Sequence, residues 1–397
     1  MIDTVLMQFG GGEGIWGTVI WFLLFLVFML FGPRLMITQT IWKLEKDVMR
    51  MELIDKQARD IVFKKVGSKG REIKKDVEGF MNFFAIPPVN LDPYGVIKKM
   101  DLIIRQADDK FKYFVEQIAP DFSYDEKKNL KNTLAGAMTT HQIAKIVRHN
   151  LEIIKKYKIF QLGMLLQMQM PMIEDIAKSS LNATKAFAEE LPIGDSVGPL
   201  VAARMIPAKA KVNVYEDEDF AVAETKIAGR KVWIAKANGP GATIGFPGKF
   251  LVNFFKKHKF NRIITVDAAM RMEGEKPGSI AEGIGIAMGG FVERYQIEEV
   301  AVKYKIPIDA VAIKVNQEEA LGPMIKEVLD AVPKAIEIVK ENIRKAKKGE
   351  KILIMGVGNT CGVGNNISEA KKAEETIKKA NKKIEDEKNK KKKKKWF

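Results

Sequence analysis

The first strong pattern in the chain is an uncharged, apolar segment near the N-terminus. No charged residue lies between Gly14 and Pro33, and the segment consists mostly of Leu, Ile, Val, Phe, Met and Trp. About twenty helical residues rise roughly 30 Å, which is the thickness of a bilayer core. Only Asp3 and Glu13 carry charge before the segment, whereas a cleaved signal peptide begins with basic residues. The pattern predicts a transmembrane anchor over residues 1–35.

Basic residues follow this apolar segment at once. Arg34, Lys43, Lys46 and Arg50 all lie beyond it, and no Lys or Arg precedes it. Basic residues that flank a membrane helix stay on the cytoplasmic side. We therefore expect a single-pass protein of the cell membrane, with its N-terminus outside and its C-terminal body in the cytoplasm.

A second apolar pattern, in which spacings of three and four residues alternate, runs through residues 36–66. It predicts a helix with an apolar stripe in which Asp55 is the polar exception. The stripe fits either a juxtamembrane coiled coil that makes a homo-oligomer or a surface packed on the chain's own body. A Pro-Pro pair ends this segment near residue 89. The stripe consists of Ile37, Ile41, Leu44, Val48, Met51, Ala58 and Val62.

Two further segments differ in their periodicity. Residues 90–190 have helical spacing throughout, which predicts a helical domain. In residues 191–366, short apolar runs alternate with glycine loops and amphipathic stretches, which predicts an α/β domain with a mostly parallel sheet. The predicted strands are Lys231–Ala237, Arg262–Val266, Ala310–Val315 and Lys351–Met355, and the predicted helices between them are 249–258, 280–294 and 321–347.

Charge and composition narrow the list of partners. The 397 residues carry a formal net charge of +16, and the tail over residues 367–397 contains the lysine run Lys390–Lys395. Such an excess predicts a polyanionic partner: anionic membrane lipid, nucleic acid or the ribosome. No motif for reading a nucleic-acid sequence is present, so we expect no sequence-specific nucleic acid. The single cysteine, Cys361, excludes an internal disulfide.

One glycine loop is similar to a dinucleotide-binding loop. Gly239, Gly241 and Gly245 follow a predicted strand and precede a predicted helix, and the next strand ends in Asp267. Glycines in such a loop let a pyrophosphate approach the backbone and the helix N-terminus, while the acid binds a ribose. Nucleotide binding by this loop is therefore one functional hypothesis. A second glycine loop, with Gly356, Gly358 and Asn359, follows the last predicted strand and is a further candidate for cofactor binding.

Two carboxylates suggest another chemistry. Asp195 lies in a glycine-flanked turn before a helix, and Asp267 ends a predicted strand. Carboxylates at the carboxyl edge of a sheet can share a metal ion, or can form a pair whose pKa values differ. The alternative for Asp195 is an N-cap of the helix over residues 197–205.

Three segments that contain these residues resemble hydrogenase maturation endopeptidases and the spore germination protease group. The sequence GDSVGP at Gly194–Pro199 resembles their acid-bearing turn, DAAMRMEGEKPGSI at Asp267–Ile280 resembles their strand end, and KILIMGVGNT at Lys351–Thr360 resembles their first strand with its GxGN loop. Because that strand comes last in this chain, the resemblance holds for a circular permutation. Taken whole, the chain also resembles an uncharacterised archaeal family of membrane proteins.

The endopeptidase resemblance implies a phosphorylase/hydrolase-like α/β sandwich with catalytic Asp195 and Asp267. It also implies a divalent metal, for which Glu282 takes the place of the usual histidine as third ligand. Three hypotheses therefore follow from the sequence. The α/β domain is a metal- or aspartate-dependent hydrolase of the peptidase type, or it binds a nucleotide, or the protein is a non-enzymatic oligomeric membrane scaffold.

Overall fold

The computed structural model describes residues 15–67, 70–88 and 95–394. Some of the predictions involve residues outside this part, namely Asp3, Glu13, residue 89 at the end of the second segment, and residues 395–397 at the end of the tail. The helices of the N-terminal half are α1 (Ile15–Val66), α2 (Gly70–Phe80), α3 (Val96–Ile118), α4 (Tyr124–Tyr157) and α5 (Phe160–Ala188). A single 3-10 turn, Gly194–Ser196, then leads into α6 (Val197–Met205).

Helix α1 contains the apolar segment and continues without a break into the apolar stripe of residues 36–66. By length and composition it is able to cross a membrane, since its most apolar window has a mean hydropathy of 2.2. Large apolar side chains from Val19 to Phe31 are exposed to the surroundings of the protein. The prediction of an N-terminal apolar helix of membrane-spanning length is thus confirmed.

The apolar stripe of α1 is buried by the chain itself. Helix α1 up to Leu53 forms one compact unit with Gln142–Glu174 of α4 and α5. A Cβ on Gly163 of α5 would lie 3.0 Å from Thr40 Cγ2 and 3.8 Å from Ile37 Cδ1. This is the second of the two alternatives raised by the sequence, and oligomerisation through residues 36–66 stays a prediction. The buried members of the stripe in this unit are Ile37, Leu44, Val48 and Met51.

Asp55, the polar exception in the stripe, belongs to a second compact unit formed by Ile54–His141 and the chain from Asp175 onward. Its side chain is only 5% exposed. One carboxylate oxygen lies 3.2 Å from His141 Nδ1 and 3.0 Å from a guanidinium nitrogen of Arg59. A buried carboxylate needs such partners, because an unpaired charge in an apolar interior is strongly unfavourable.

The second unit contains a seven-stranded mixed sheet in the order β1-β2-β3-β7-β4-β6-β5. Strands β3, β7, β4 and β6 are parallel, whereas β1, β2 and β5 pair antiparallel at the two edges. The strands are β1 (Val212–Tyr215), β2 (Phe220–Ile227), β3 (Arg230–Ala237), β4 (Arg262–Met270), β5 (Ile280–Ile284), β6 (Ile308–Val315) and β7 (Lys351–Gly356).

The sheet corrects two predictions. It is mixed rather than mostly parallel, because β2 and β3 form a hairpin whose two-residue turn, Ala228-Gly229, has both φ angles positive. Residues 280–294 are not one helix, because β5 occupies their start and a helix begins only at Phe291. The helices of this part are α7 (Pro247–Lys257), α8 (Phe291–Tyr304), α9 (Gln317–Leu321), α10 (Lys326–Lys345) and α11 (Ile367–Lys394).

Helices cover both faces of the sheet and make an α/β/α sandwich. On one face α6, α10 and the first turns of α11 pack against residues such as Ile264 and Ile354. On the other face α7 and α8 pack against residues such as Ile263 and Leu353. The basic tail is therefore helical up to Lys394, since its first turns bury apolar side chains on the sheet.

Candidate functional site

The acid-bearing turn lies at the carboxyl edge of the sheet. The 3-10 turn that carries Asp195 is held by Gly194, whose N–H donates to the Gly322 carbonyl oxygen over 3.1 Å. Asp195 does not cap α6, because its Oδ2 accepts a hydrogen bond of 2.8 Å from the backbone N–H of Asn359. The alternative interpretation of Asp195 as an N-cap is therefore wrong, and the carboxylate contacts the GxGN loop instead.

The GxGN loop is shaped to approach this turn closely. Gly358 has a φ of 125°, and a Cβ there would lie 2.0 Å from the Asp195 carbonyl oxygen. Only glycine fits both conditions. The side chain of Asn359 accepts a hydrogen bond of 2.9 Å from the Cys361 N–H, which fixes the turn beyond the site. The loop and the acid-bearing turn are thus neighbours in space although they are far apart in the sequence.

Asp267 is the second carboxylate at this edge. It lies in β4, which continues to Met270, and it is only 4% exposed, whereas Asp195 is half-buried. Burial raises the pKa of Asp267 well above its usual range, and the negative charge of Asp195 raises that pKa further. The structure therefore brings the two predicted carboxylates close enough to interact.

The two carboxyls have different environments. Burial raises the pKa of Asp195, but the Asn359 N–H stabilises its charged form and opposes the rise. For Asp267, a backbone hydrogen bond of 2.7 Å from the Ala268 N–H opposes the rise in pKa. Next to Asp195, the buried hydroxyl of Ser196 has no hydrogen-bond partner in the described part of the chain. Two acids that interact in this way titrate as a pair, and burial favours the neutral form of each.

Glu282 does not join the pair. Glu282 of β5 pairs with Val311 of β6, and Val311 pairs in turn with Val266 of β4. Asp267, the next residue of β4, pairs with Ala312 of β6. Because neighbouring residues in register share a face, the side chains of Glu282 and Asp267 point to opposite faces of the sheet. Glu282 is exposed and accepts a 3.2 Å hydrogen bond from Asn342 of α10. Within the described ranges, no three His, Cys, Asp or Glu side chains are grouped to hold a metal ion.

The dinucleotide-like loop is already engaged by the protein. The N–H groups of Gly239, Gly241 and Ala242 donate to side-chain oxygens of Asn365, Asp125 and Asn129, over 3.2, 3.0 and 2.8 Å. A phosphate would need these same donors. The Gly245 N–H likewise donates to Thr243 Oγ1 over 3.0 Å. The loop glycines serve close packing, since a Cβ at Gly239 would lie 2.0 Å from the Val363 carbonyl oxygen.

Lys236 of β3 is a buried cation that the sequence reasoning missed. Its Nζ donates to the Ala237 carbonyl oxygen over 2.7 Å and to Asn365 Oδ1 over 2.8 Å. Complete burial lowers the pKa of this lysine to about 7. The available signal was a lysine inside the otherwise apolar run VWIAKA, an anomaly for a strand that is covered on both faces.

A second missed feature is an ion pair at the same edge of the sheet. Arg271, four residues beyond Asp267, donates to the carboxylate of Glu319 over 3.1 Å. The backbone of Glu319 in turn packs against the acid-bearing turn, because a Cβ on Gly194 would lie 2.0 Å from its carbonyl oxygen. The pair therefore links the extension of β4 to the turn that carries Asp195.

Comparison with known proteins gives two adjacent matches that cover most of the chain. Residues 18–190 match the model described as "Protein of unknown function (DUF1512) N-terminal domain". Residues 193–364 match the model described as "Domain of unknown function (DUF1512) C-terminal". No curated protein is significantly similar to the chain.

Proposed function

This chain belongs to the DUF1512 family, and we propose that it is a membrane-anchored hydrolase of the peptidase type. Helix α1 anchors it in the cell membrane as a single pass, with the N-terminus outside and the α/β domain in the cytoplasm. Asp195 and Asp267 form the catalytic pair. The observation that supports this proposal is the close approach of the acid-bearing turn to β4 beside Asp267. A Cβ on Gly198 would lie 2.5 Å from the Val266 carbonyl oxygen, at the carboxyl edge of the sheet, where α/β proteins bind ligands.

The two acids take different parts in the proposed reaction. Asp195 is the more accessible carboxylate and is stabilised in its charged form by the Asn359 N–H, which suits a general base that removes a proton from water. The water oxygen bonds to the peptide carbonyl carbon as that proton leaves. Asp267, whose raised pKa favours the protonated form, donates a proton to the amine as the C–N bond breaks. Transfer of a proton between the acids restores the pair.

The metal hypothesis was built on three carboxylates. Glu282 points to the opposite face from Asp267, so these three residues do not fit a shared ion as a set. The proposed chemistry therefore uses the acid pair itself. It does not use the Gly239–Gly245 loop of the nucleotide hypothesis. The backbone N–H donors of that loop already bind side-chain oxygens of Asn365, Asp125 and Asn129.

The test is peptide hydrolysis by the full chain purified in detergent, with a mixed peptide library and detection of products by mass spectrometry. General acid and base catalysis contributes about 10²–10⁴-fold, so Asp195→Asn and Asp267→Asn should each lower the rate on that scale. Glu282→Gln is the matched control, because it changes a carboxylate of the same sheet on the other face. Metal content is measured in all four proteins.

Three results would contradict the proposal. The first is a wild-type chain that cleaves no peptide, and the second is an Asp195→Asn or Asp267→Asn variant that keeps the wild-type rate. The third is a loss of rate and bound metal in Glu282→Gln equal to that in the aspartate variants, which would support the three-carboxylate metal site instead.

We also propose that the basic tail binds anionic lipid of the same membrane. Helix α11 is anchored to the sheet through Ala370, Ala373 and Ile377. Residues 382–387, 389 and 390 that follow are exposed, and this part of the sequence is rich in lysine. Each lysine near an anionic surface contributes about 1 kcal/mol. A chain that lacks residues 384–397 should therefore bind anionic lipid more weakly than the full chain when binding is measured at several salt concentrations. An unchanged binding curve would refute this assignment.

A further inference from the structure

We infer that the tip of the α4–α5 hairpin, residues 155–160, is a second membrane contact that seats Tyr157 and Ile159 among anionic lipid headgroups. The inference rests on the anchoring by α1 proposed above. It adds a lipid-binding surface at a place in the chain to which no sequence pattern pointed.

The position of the hairpin tip follows from contacts along α1. Gly163 lies against Ile37 and Thr40, and eleven residues later Glu174 lies 3.4 Å from Arg50. Helix α5 therefore runs parallel to α1 within this unit. Residues that precede Gly163 consequently lie level with residues of α1 that precede Ile37, on the side of the apolar segment.

The distance to the apolar segment is short. Ile159 precedes Gly163 by four residues, which is about 6 Å along a helix axis. It is thus level with Pro33–Met36 of α1, where the uncharged segment ends at Arg34. The headgroup region extends roughly 5–8 Å beyond each side of the hydrocarbon core. When α1 spans a bilayer, the hairpin tip lies in that region.

The side chains at the tip suit this environment. Tyr157 is 61% exposed and Ile159 is 40% exposed. Lys156 and Lys158 flank Tyr157, and the ammonium of Lys156 lies 5.1 Å from the tyrosine ring centre. Tyrosine with an adjacent apolar residue is typical of the membrane interface, and lysines bind anionic headgroups there.

The backbone of the tip is already ordered. The Lys158 N–H donates to the Ile154 carbonyl oxygen over 2.8 Å, and the Gly163 N–H donates to the Ile159 carbonyl oxygen over 3.2 Å. Lys158 itself has a φ of 53°, which turns the chain from one helix into the next. Little conformational entropy is therefore lost when the tip meets lipid.

A lipid surface is favoured over a second protein because the tip is continuous with the exposed apolar part of α1. Leu35 and Met36 are exposed at the same level, next to the segment that enters the bilayer. A protein partner at the tip would have to occupy the same headgroup layer.

The test uses the full chain reconstituted into vesicles, with a nitroxide label on Ile159→Cys. Cys361 is buried, so the parent chain serves as the control for background labelling. Met172→Cys is the matched control, since Met172 is 61% exposed on α5, which begins directly after Ile159, and lies about 20 Å further from the membrane. Collision of the label with oxygen and with a water-soluble nickel chelate is measured in phosphatidylcholine vesicles, with and without phosphatidylglycerol.

We expect an oxygen-to-nickel collision ratio several-fold higher at residue 159 than at residue 172, and higher still with phosphatidylglycerol. Each lysine removed from a lipid surface lowers binding about fivefold, so Lys156→Gln with Lys158→Gln should lower the contact equilibrium about 25-fold. The inference would be overturned if the label at residue 159 had the same oxygen-to-nickel collision ratio as the water-exposed label at residue 172. It would also be overturned by a label shielded from both reagents in both lipids, which indicates a protein contact.

Failure of the anchoring proposal is recognised separately. Alkaline carbonate extracts a peripheral protein from vesicles but leaves a spanning helix in place. A chain that stays in the pellet while residue 159 remains aqueous refutes only the contact at the hairpin tip. A chain that is released refutes the anchor, and with it the geometry on which the inference rests.

Discussion

The buried lysine of β3 allows a quantitative prediction about stability and pH. Lys236 is fully buried, and its pKa is lowered from 10.5 to about 7, chiefly because burial disfavours the charged ammonium. Between these two pH values the amine is neutral in the folded chain and charged in the unfolded chain, so the unfolded state binds more protons. Folding stability therefore rises with pH across this window.

The size of the effect follows from the pKa difference. Below about pH 7 the burial of this charge opposes folding fully, and each pH unit of the difference between 10.5 and about 7 corresponds to about 1.36 kcal/mol. The complete change is thus on the order of 5 kcal/mol. Lys236→Met keeps most of the volume and removes the titrating group, so the slope should disappear.

The assay is urea unfolding of the full chain in detergent micelles from pH 7 to pH 10, followed by tryptophan fluorescence. Trp233 is buried three residues from Lys236 and reports on the sheet. Because Lys236→Met removes one donor from the Ala237 carbonyl oxygen and one from Asn365 Oδ1, its absolute stability is less informative than its slope. Lys231→Met, which removes a surface amine bonded to Glu224 on the neighbouring strand, is the control.

One result would refute the reasoning about Lys236. If the wild-type chain and Lys236→Met change in stability in parallel over this pH range, the amine is charged in the folded state. Unfolding should instead become harder by up to about 1.36 kcal/mol per pH unit in the wild type alone.

Three further changes test the site and the helical region. Asp267→Asn should lower the rate of the proposed hydrolysis about 10²–10⁴-fold and raise the melting temperature at neutral pH. The folded chain loses stability as pH rises through the raised pKa of Asp267, and the asparagine removes this loss; an unchanged melting curve would contradict this. Gly358 has a φ of 125° and lies against Asp195, so Gly358→Ala should lower the free energy of unfolding by at least about 1–3 kcal/mol in urea titrations. The same variant should abolish hydrolysis, and full activity would show that the GxGN loop does not need to lie close to Asp195. Asp55→Ala should lower the free energy of unfolding by about 1–3 kcal/mol, because it leaves His141 without its carboxylate partner. The double variant Asp55→Leu with His141→Leu should recover most of this lost stability in the same urea titration.

The central strands were predictable from the sequence for a simple reason. Parallel strands buried on both faces appear as continuous apolar runs, so β3, β4, β6 and β7 all begin within two residues of their predicted starts. The edge strands gave weaker signals. The β2–β3 hairpin turns at Ala228-Gly229 rather than at an Asn-Gly or Asp-Gly pair, and β5 contains Glu282 and Gly283. The coarse order of an apolar helix, a helical region and an α/β domain is confirmed.

The site was predictable only in part. The contact between Asp195 and Asn359 joins residues 164 positions apart, which no periodicity reveals, so the sequence pointed to it only through the resemblance of two short motifs. The placement of Glu282 depended on strand register, because a shift of one residue reverses the face of every side chain. Lys236 gives only a weak signal, because a single lysine does not change the apolar character of the run around it.

The place of β7 between β3 and β4 has a consequence for biosynthesis. This strand leaves the ribosome about 110 residues after β3 ends, which takes roughly 6 to 20 s at typical rates of translation. From the synthesis of β4 until that of β7, β3 and β4 each present an edge that lacks its final partner. Asn359 also follows β7, so the acid-bearing turn cannot receive its N–H before then. A chain interrupted before residue 351 would carry both aspartates on an incomplete sheet that is prone to edge-to-edge association.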